Sequence, residues 1–153
     1  MKFSARISVF GGRDIDKQIY DDTVEIGKLL AAENYLVYCG GGEGVMEAVA
    51  KGVEAGGGTC VGILKSTDKS EANDHIEIPV STGMGIGRNA ILAYNCDVGI
   101  AISGKYGTLS EIAFAIQLDK PVVGYNSWDL EGIQKAVSTT DLVNKVKELL
   151  NEQ

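Results

Sequence analysis

The sequence predicts a three-layer α/β fold of the Rossmann-like kind, in which a doubly wound and mainly parallel sheet lies between helices. Its apolar segments do not alternate with polar residues, which is typical of strands buried on both faces, and segments with helical spacing separate them. The length of 153 residues predicts one domain, residues 1–153. The 20 glycines cluster beside the apolar segments. Ligands of such folds bind beyond the carboxyl ends of the strands, where most of these clusters are expected.

The first half of the chain is predicted to contain three strands and two helices. Residues 5–10 (A-R-I-S-V-F) form an apolar strand that ends at a glycine pair, and apolar residues recur at helical spacing from 16 to about 34. Tyr35–Cys39 is a short apolar strand that leads into G-G-G-E-G. Val45–Ala55 is a helix stopped by three glycines, and residues 59–64 form the third strand.

The second half continues the alternation after a polar loop at residues 65–75. We expect a short strand at 76–80, a helix at 85–95, and a strongly apolar strand at 97–103 (D-V-G-I-A-I-S). A helix at 108–118 is followed by the last predicted strand, 121–125, and by a closing amphipathic helix at 140–152.

The composition excludes several classes of function. With 21 acidic and 14 basic residues the formal net charge is −7, which gives no general attraction to nucleic acid or to an anionic membrane. The three cysteines lack the paired spacing of a disulfide framework or a zinc site, so no metal is expected. No leader pattern and no apolar run of membrane-spanning length are visible, so we expect a cytoplasmic protein.

Two glycine-rich turns are candidate phosphate sites. Gly40 to Gly44 lies between a strand and a helix, where backbone N–H groups and the helix dipole favour an anion. The turn lacks the G-x-G-x-x-G pattern of dinucleotide sites, and no acidic residue ends the next strand, so NAD is not expected.

The second turn follows the strand at 97–103. Residues 99–106 (G-I-A-I-S-G-K-Y) nearly match a Walker A loop, but most of the loop positions belong to the apolar strand, and Tyr106 replaces the hydroxyl that binds Mg²⁺. What remains is a glycine turn that opens a helix. Thr108 and Glu111 have the spacing of a capping box, so Glu111 is either a helix cap or a functional carboxyl group.

Three motifs in this order resemble one known family. G-G-G-E-G-V-M-E-A-V at 40–49, G-M-G-I-G-R-N at 83–89 and S-G-K-Y-G-T-L-S-E at 103–111 are similar to those of proteins once labelled "possible lysine decarboxylases". That family includes the Lonely Guy phosphoribohydrolases, which release a base from nucleoside 5′-monophosphates, and the molybdenum-cofactor carrier proteins. The motifs resemble the carrier subgroup most closely. No recognisable pyridoxal-phosphate site is present, so the decarboxylase label has no support.

The resemblance implies roles for two charged residues. In the hydrolases an arginine and the glutamate that ends the third motif form the catalytic pair, and they correspond to Arg88 and Glu111. A carboxylate can stabilise the oxocarbenium character of N-glycosidic cleavage, while an arginine binds phosphate or steers the departing base. The hydrolase pattern P-G-G-x-G-T-x-x-E differs here, because Ser103 replaces proline and Lys105 replaces the second glycine.

The expected ligand lies at the glycine-rich edge, with its phosphate between the two turns. Lys105 either adds a charge there or projects into solvent. The expected ligand-binding residues are Gly11, Gly12, Gly40, Gly41, Gly42, Gly44, Thr82, Gly83, Arg88, Asn89, Gly104, Lys105, Gly107 and Thr108.

Carriage or storage of the molybdenum cofactor, without turnover, is the function that the resemblance implies first. The alternatives are phosphoribohydrolysis of nucleoside monophosphates by Arg88 and Glu111, and a sensor of nucleotide-derived ligands. In each case the partner is a phosphorylated pterin or nucleotide. The resemblance also implies a homodimer or homotetramer.

Overall fold

A seven-stranded, all-parallel sheet forms the centre of the molecule, described for residues 2–153 in a computed structural model. The strands, in chain order, are β1 (Ala5–Gly11), β2 (Tyr35–Cys39), β3 (Cys60–Leu64), β4 (Ile78–Ser81), β5 (Val98–Ile102), β6 (Val122–Tyr125) and β7 (Ile133–Lys135). Their order across the sheet is β4-β3-β2-β1-β5-β6-β7. Every neighbouring pair is parallel.

Five α-helices cover the two faces of the sheet: α1 (Lys17–Ala32), α2 (Val45–Ala55), α3 (Arg88–Tyr94), α4 (Tyr106–Gln117) and α5 (Thr139–Asn151). Apolar residues of α1, α2 and α5 pack on one face in a cluster that includes Ile26, Val49 and Leu142. On the other face, Leu92 of α3 and Ile112 of α4 pack around Phe10. The predicted three-layer, parallel α/β fold is confirmed. None of the described helices is long and apolar enough to cross a membrane.

The topology creates one crevice at the carboxyl edge of the sheet. From β1 the chain builds outward through β2, β3 and β4, and it then returns to place β5 on the other side of β1. The connections that leave β1 and β5 therefore run in opposite directions, which opens a space between them. Gly12 follows β1 and Ser103 follows β5, so the glycine pair at the end of β1 and the glycine turn before α4 border this crevice.

The last predicted strand and the helix predicted at 85–95 differ from the structure. Residues 121–125 were expected to be the last strand, but β7 follows at Ile133–Lys135. It has only three residues, of which only Ile133 is apolar, so it carries no periodicity that a sequence could reveal. The helix expected at 85–95 begins as a single 3₁₀ turn, Gly85–Gly87, before α3 starts at Arg88.

Candidate functional site

A cavity of about 370 Å³ lies at the crevice between β1 and β5. Its walls come from the ends of β1, β2, β3 and β5 and from the starts of α3 and α4. The sequence-predicted residues that line it are Gly11, Gly12, Gly40, Arg88, Asn89, Gly104, Lys105, Gly107, Thr108 and Glu111. The fold thus brings these predicted residues, from four separate segments of the chain, into one space.

The other predicted glycines of the turn at Gly40–Gly44 do not line this cavity but allow the close packing next to it. A Cβ atom on Gly41 would overlap the Leu64 side chain, and one on Gly44 would overlap the carbonyl groups of Gly12 and Arg13. Gly42 lines an adjoining cavity. The Val45 N–H donates to the Gly12 carbonyl at 3.0 Å, so the start of α2 is tied to the loop that follows β1.

Thr82 and Gly83 do not line the cavity. The Thr82 hydroxyl donates to the Leu64 carbonyl at 2.6 Å and accepts from the Met84 N–H at 3.2 Å. Gly83 has a φ of +64°, and its N–H donates to the Ser66 carbonyl at 3.1 Å. Both residues shape the loop that leads to α3.

The first turn of α4 offers unpaired backbone donors to the cavity. Leu109 is the first residue whose N–H bonds back to the turn, donating to the Lys105 carbonyl at 3.0 Å. The preceding N–H groups, of Tyr106, Gly107 and Thr108, have no helical partner. Gly104 has a φ of +94°, and a Cβ atom there would overlap the Thr108 side chain. This is the geometry of an anion-binding helix start.

Of the two roles left open for Glu111, the capping box with Thr108 does not form. The helix begins at Tyr106, so Thr108 is its third residue, and the N-cap position is Lys105, whose side chain makes no capping bond. The left-handed backbone at Ser103 and Gly104 turns the chain early and lets the helix start two residues before Thr108. Glu111 is therefore free of any capping role.

Glu111 places a carboxyl group in a nearly enclosed part of the cavity. The residue is only 7% exposed, and its carboxyl oxygens make no hydrogen bond within residues 2–153. Burial raises its pKa to about 8, although the positive charge of Arg88 opposes this shift; the Cys39 thiol adds a small further rise. Glu111 is therefore mainly protonated at pH 7.

The Arg88 guanidinium is anchored where β2 and β3 end. Its Nη1 donates to the Gly40 carbonyl at 2.7 Å and to the Ile63 carbonyl at 2.6 Å. Its Nε donates to Asn89 Oδ1 at 2.7 Å. Burial lowers the pKa of Arg88 and attraction to Glu111 raises it, but an arginine stays charged in proteins. A fixed cation thus lies in the same cavity as the Glu111 carboxyl group.

Two further cations of the cavity, Arg13 and Lys65, were missed from the sequence. Each closely follows the end of a strand, β1 for Arg13 and β3 for Lys65, so the convergence of parallel strand ends could have indicated them. With Arg88 they also line a second cavity of about 350 Å³ that shares Gly40 and Met46 with the first.

The cavity is cationic in an acidic protein. Arg13, Lys65, Arg88 and Lys105 line it, and none of these forms an ion pair within the part of the chain that the structure describes. Among the described residues, the acids that line it are Asp14 and the mainly protonated Glu111. In a chain of net charge −7, this arrangement favours an anionic ligand. No group of metal-ligating side chains occurs within residues 2–153.

A model of the SLOG cluster4 family matches residues 4–151. The chain belongs to this family. Its fold superposes on the molybdenum cofactor binding protein from Rippkaea orientalis with a TM-score of 0.90, at 29% identity and over 95% of this chain and 97% of that one. For the molybdenum cofactor carrier protein of Chlamydomonas reinhardtii the TM-score is 0.88, at 30% identity and over 97% and 99% of the two chains.

A relative found by sequence is named as a hydrolase and not as a cofactor carrier. A protein of Oryza sativa, named a probable cytokinin riboside 5′-monophosphate phosphoribohydrolase, is 35% identical over 149 residues, or 87% of this chain. The chain spans 66% of that protein's length. The family resemblance seen in the three motifs is confirmed, and the two kinds of relative carry two different activities in their names.

Proposed function

We propose that the chain binds a phosphorylated small molecule and serves as a carrier of the molybdenum cofactor. The observation that carries this proposal is the first turn of α4, whose unpaired N–H groups open onto a cavity with four cations. The phosphate would contact the N–H groups of Gly107 and Thr108. The likeness to cofactor carriers over almost the whole of both chains supports the identity of the cargo.

Carriage without turnover fits the state of Glu111. At pH 7 its carboxyl group is mainly neutral, since burial raises its pKa to about 8. A neutral carboxylic acid donates a hydrogen bond to a bound ligand, but it lacks the negative charge that stabilises an oxocarbenium-like transition state. An anionic phosphate nearby would favour the neutral form further.

Phosphoribohydrolysis is the second candidate, because Arg88 and Glu111 lie in one cavity and a relative carries that name. In this mechanism the Glu111 carboxylate stabilises the developing positive charge on the ribose and orients the attacking water, while Arg88 neutralises the phosphate. Turnover would then need ionised Glu111. Its rate should rise as the pH increases through about 8, the pKa of this group in the folded protein.

One pair of assays tests the proposal. The purified protein is incubated with AMP at pH 7 and pH 9 to detect free adenine and ribose 5-phosphate, and it is titrated with molybdenum cofactor whose bound pterin is measured by fluorescence after oxidation. The carrier proposal predicts saturable cofactor binding and no base release. Base release that Glu111→Gln abolishes would replace it with the hydrolase. Binding of AMP without turnover and without cofactor binding would favour a nucleotide sensor.

The proposal includes self-association into a homodimer or homotetramer. Helices α3 and α4 lie side by side, and their only charged side chains are Arg88 and Glu111, which both line the cavity. Their outer surface exposes Tyr94, Tyr106 and Phe114. An uncharged face of this kind is the surface through which two copies of an acidic chain can pack.

A further inference from the structure

The Arg88 guanidinium donates three hydrogen bonds to the protein, from Nε and Nη1, and its third nitrogen, Nη2, is left for a ligand. Nη1 serves the Gly40 and Ile63 carbonyls, and Nε serves Asn89. Nη2 makes no hydrogen bond to residues 2–153, and it is not fully enclosed, because no buried side-chain nitrogen or oxygen there lacks a partner. Arg88 therefore offers a bound anion one nitrogen in a fixed direction and not the two-pronged contact usual for arginine.

Asn89 uses both ends of its amide inside the protein. Its Oδ1 accepts from Arg88 Nε at 2.7 Å, and its Nδ2 donates to Ser110 Oγ at 3.1 Å. The orientation of the amide follows from chemistry, because Arg88 Nε can only donate and must face an acceptor. The residue is 6% exposed although it lines the cavity. Asn89 thus holds a neighbour at each end of its amide and exposes little of its side chain to a ligand.

Ser110 continues this chain of bonds to the turn that opens α4. Its hydroxyl accepts from Asn89 and donates to the Gly107 carbonyl at 2.6 Å. The bonds therefore run from the Arg88 guanidinium through Asn89 and Ser110 to the backbone at Gly107. This connection fixes the cation relative to the unpaired N–H groups of the same turn.

We propose that Asn89 and Ser110 are positioning residues, which hold Arg88 Nη2 and the first turn of α4 at a fixed spacing for one anionic group of the ligand. The identity of that ligand rests on the function proposed above, whereas the positioning does not. Asn89 acts on Arg88, and Ser110 acts on the turn. Neither residue needs to touch the ligand.

The pKa of the Glu111 carboxyl group depends on the position of Arg88, and it can be measured when no ligand is bound. The charge of Arg88 opposes the rise in the pKa of Glu111 that burial causes. The other titratable groups that face Glu111 are the Cys39 thiol and, around the cavity, Arg13, Asp14, Lys65 and Lys105. These groups lie outside α3 and share no hydrogen bond with the Asn89 side chain, so replacing Asn89 breaks none of their hydrogen bonds. Releasing Arg88 should therefore raise the pKa of Glu111, and breaking only the Ser110 bond should not.

The test compares Asn89→Leu, Ser110→Ala and a matched control, Asn95→Leu, at the far end of α3, where the amide donates to the Ile91 carbonyl. Side-chain ¹³C NMR follows the titration of Glu111 in the free protein, and calorimetry measures AMP binding. We expect Asn89→Leu to raise the pKa of Glu111 by about 1 unit and to weaken AMP binding about tenfold. Ser110→Ala should weaken binding about threefold with the pKa unchanged, and Asn95→Leu should change neither quantity.

An unchanged Glu111 titration in folded Asn89→Leu would overturn the positioning role of Asn89. Should the leucine variant not fold, Asn89→Ser removes the same bond with a smaller polar side chain and gives the same test. Unaltered AMP binding in Ser110→Ala would overturn the role of Ser110. A raised pKa in Asn89→Leu, in a protein that binds neither AMP nor the cofactor, would support the positioning of Arg88 while the proposed function failed.

Discussion

The Glu111 carboxyl group is buried, so ionising it in the folded protein costs free energy. Below pH 4.5 it is protonated in both the folded and the unfolded chain, so it does not affect stability there. Between pH 4.5 and about 8 the unfolded chain loses this proton first, and the free energy of unfolding falls as the pH rises. Above about 8 the loss is complete. Each unit of pKa difference is worth about 1.4 kcal/mol, so the loss amounts to a few kcal/mol.

We therefore expect Glu111→Gln to stabilise the protein at pH 9 by a few kcal/mol relative to its effect at pH 5. Urea unfolding of both proteins at the two pH values measures the difference. Glu131→Gln, which removes an exposed carboxyl group, is the control and should give the same difference from wild type at both pH values. A Glu111→Gln effect that is equal at pH 5 and pH 9 would show that this carboxyl group titrates normally.

The turn between β5 and α4 depends on two glycines that differ in what surrounds them. Gly104 has a φ of +94° and lies against Thr108, so Gly104→Ala should cost about 1–3 kcal/mol in stability from backbone strain and should also displace the turn. At Gly107 a Cβ atom would meet nothing within 4 Å and would extend from the helix start that lines the cavity.

Gly107→Ala should therefore keep the wild-type melting temperature while weakening ligand binding, because its methyl group occupies space beside the N–H groups that would hold the phosphate. Gly104→Ala should lower both. Thermal unfolding and calorimetry with AMP or the cofactor separate the two effects. Unchanged binding in Gly107→Ala would place the phosphate away from this turn.

The sequence was most informative where a buried element carries a strong pattern. The predicted bounds of β2 (Tyr35–Cys39) and α2 (Val45–Ala55) match the structure, because an apolar run and an amphipathic segment there end at glycines. The start of α4 was misplaced, since the left-handed backbone at Ser103 has no residue signature. A three-residue strand such as β7 has too few positions to show a period.

The residues that line the cavity were harder to predict than the position of the cavity itself. Glycine clusters and the switch in strand order indicate where a ligand lies, and Arg88 and Glu111 came from the motifs. Arg13 and Lys65 belong to no motif, and their place in the cavity depends on which strands are neighbours. The same holds for the bond between Asn89 and Ser110, which joins two helices and is therefore set by tertiary packing.

At the scale of the whole molecule, charge is distributed unevenly. Helices α1 and α5 carry acidic and basic residues along their exposed faces, whereas α3 and α4 present an uncharged outer surface. Tyr94 is 64% exposed on this surface, and Tyr106 is 80% exposed beside the cavity. Ile86 both lines the cavity and is 83% exposed, so a second copy packed there would border the ligand. Self-association would then be coupled to ligand binding.

This coupling gives the last prediction. Phe114, on the outer face of α4, is 42% exposed, and Phe114→Glu would place a charge from each copy in the shared interface. Light scattering after gel filtration should show a dimer or tetramer for wild type and a monomer for the variant, with weaker cofactor binding. Val137→Glu adds the same charge at a more exposed residue just before α5, which packs on the opposite face of the sheet from α3 and α4, so it should leave the oligomer intact. A wild-type monomer would contradict the prediction, and an intact oligomer in Phe114→Glu would place the interface on another face.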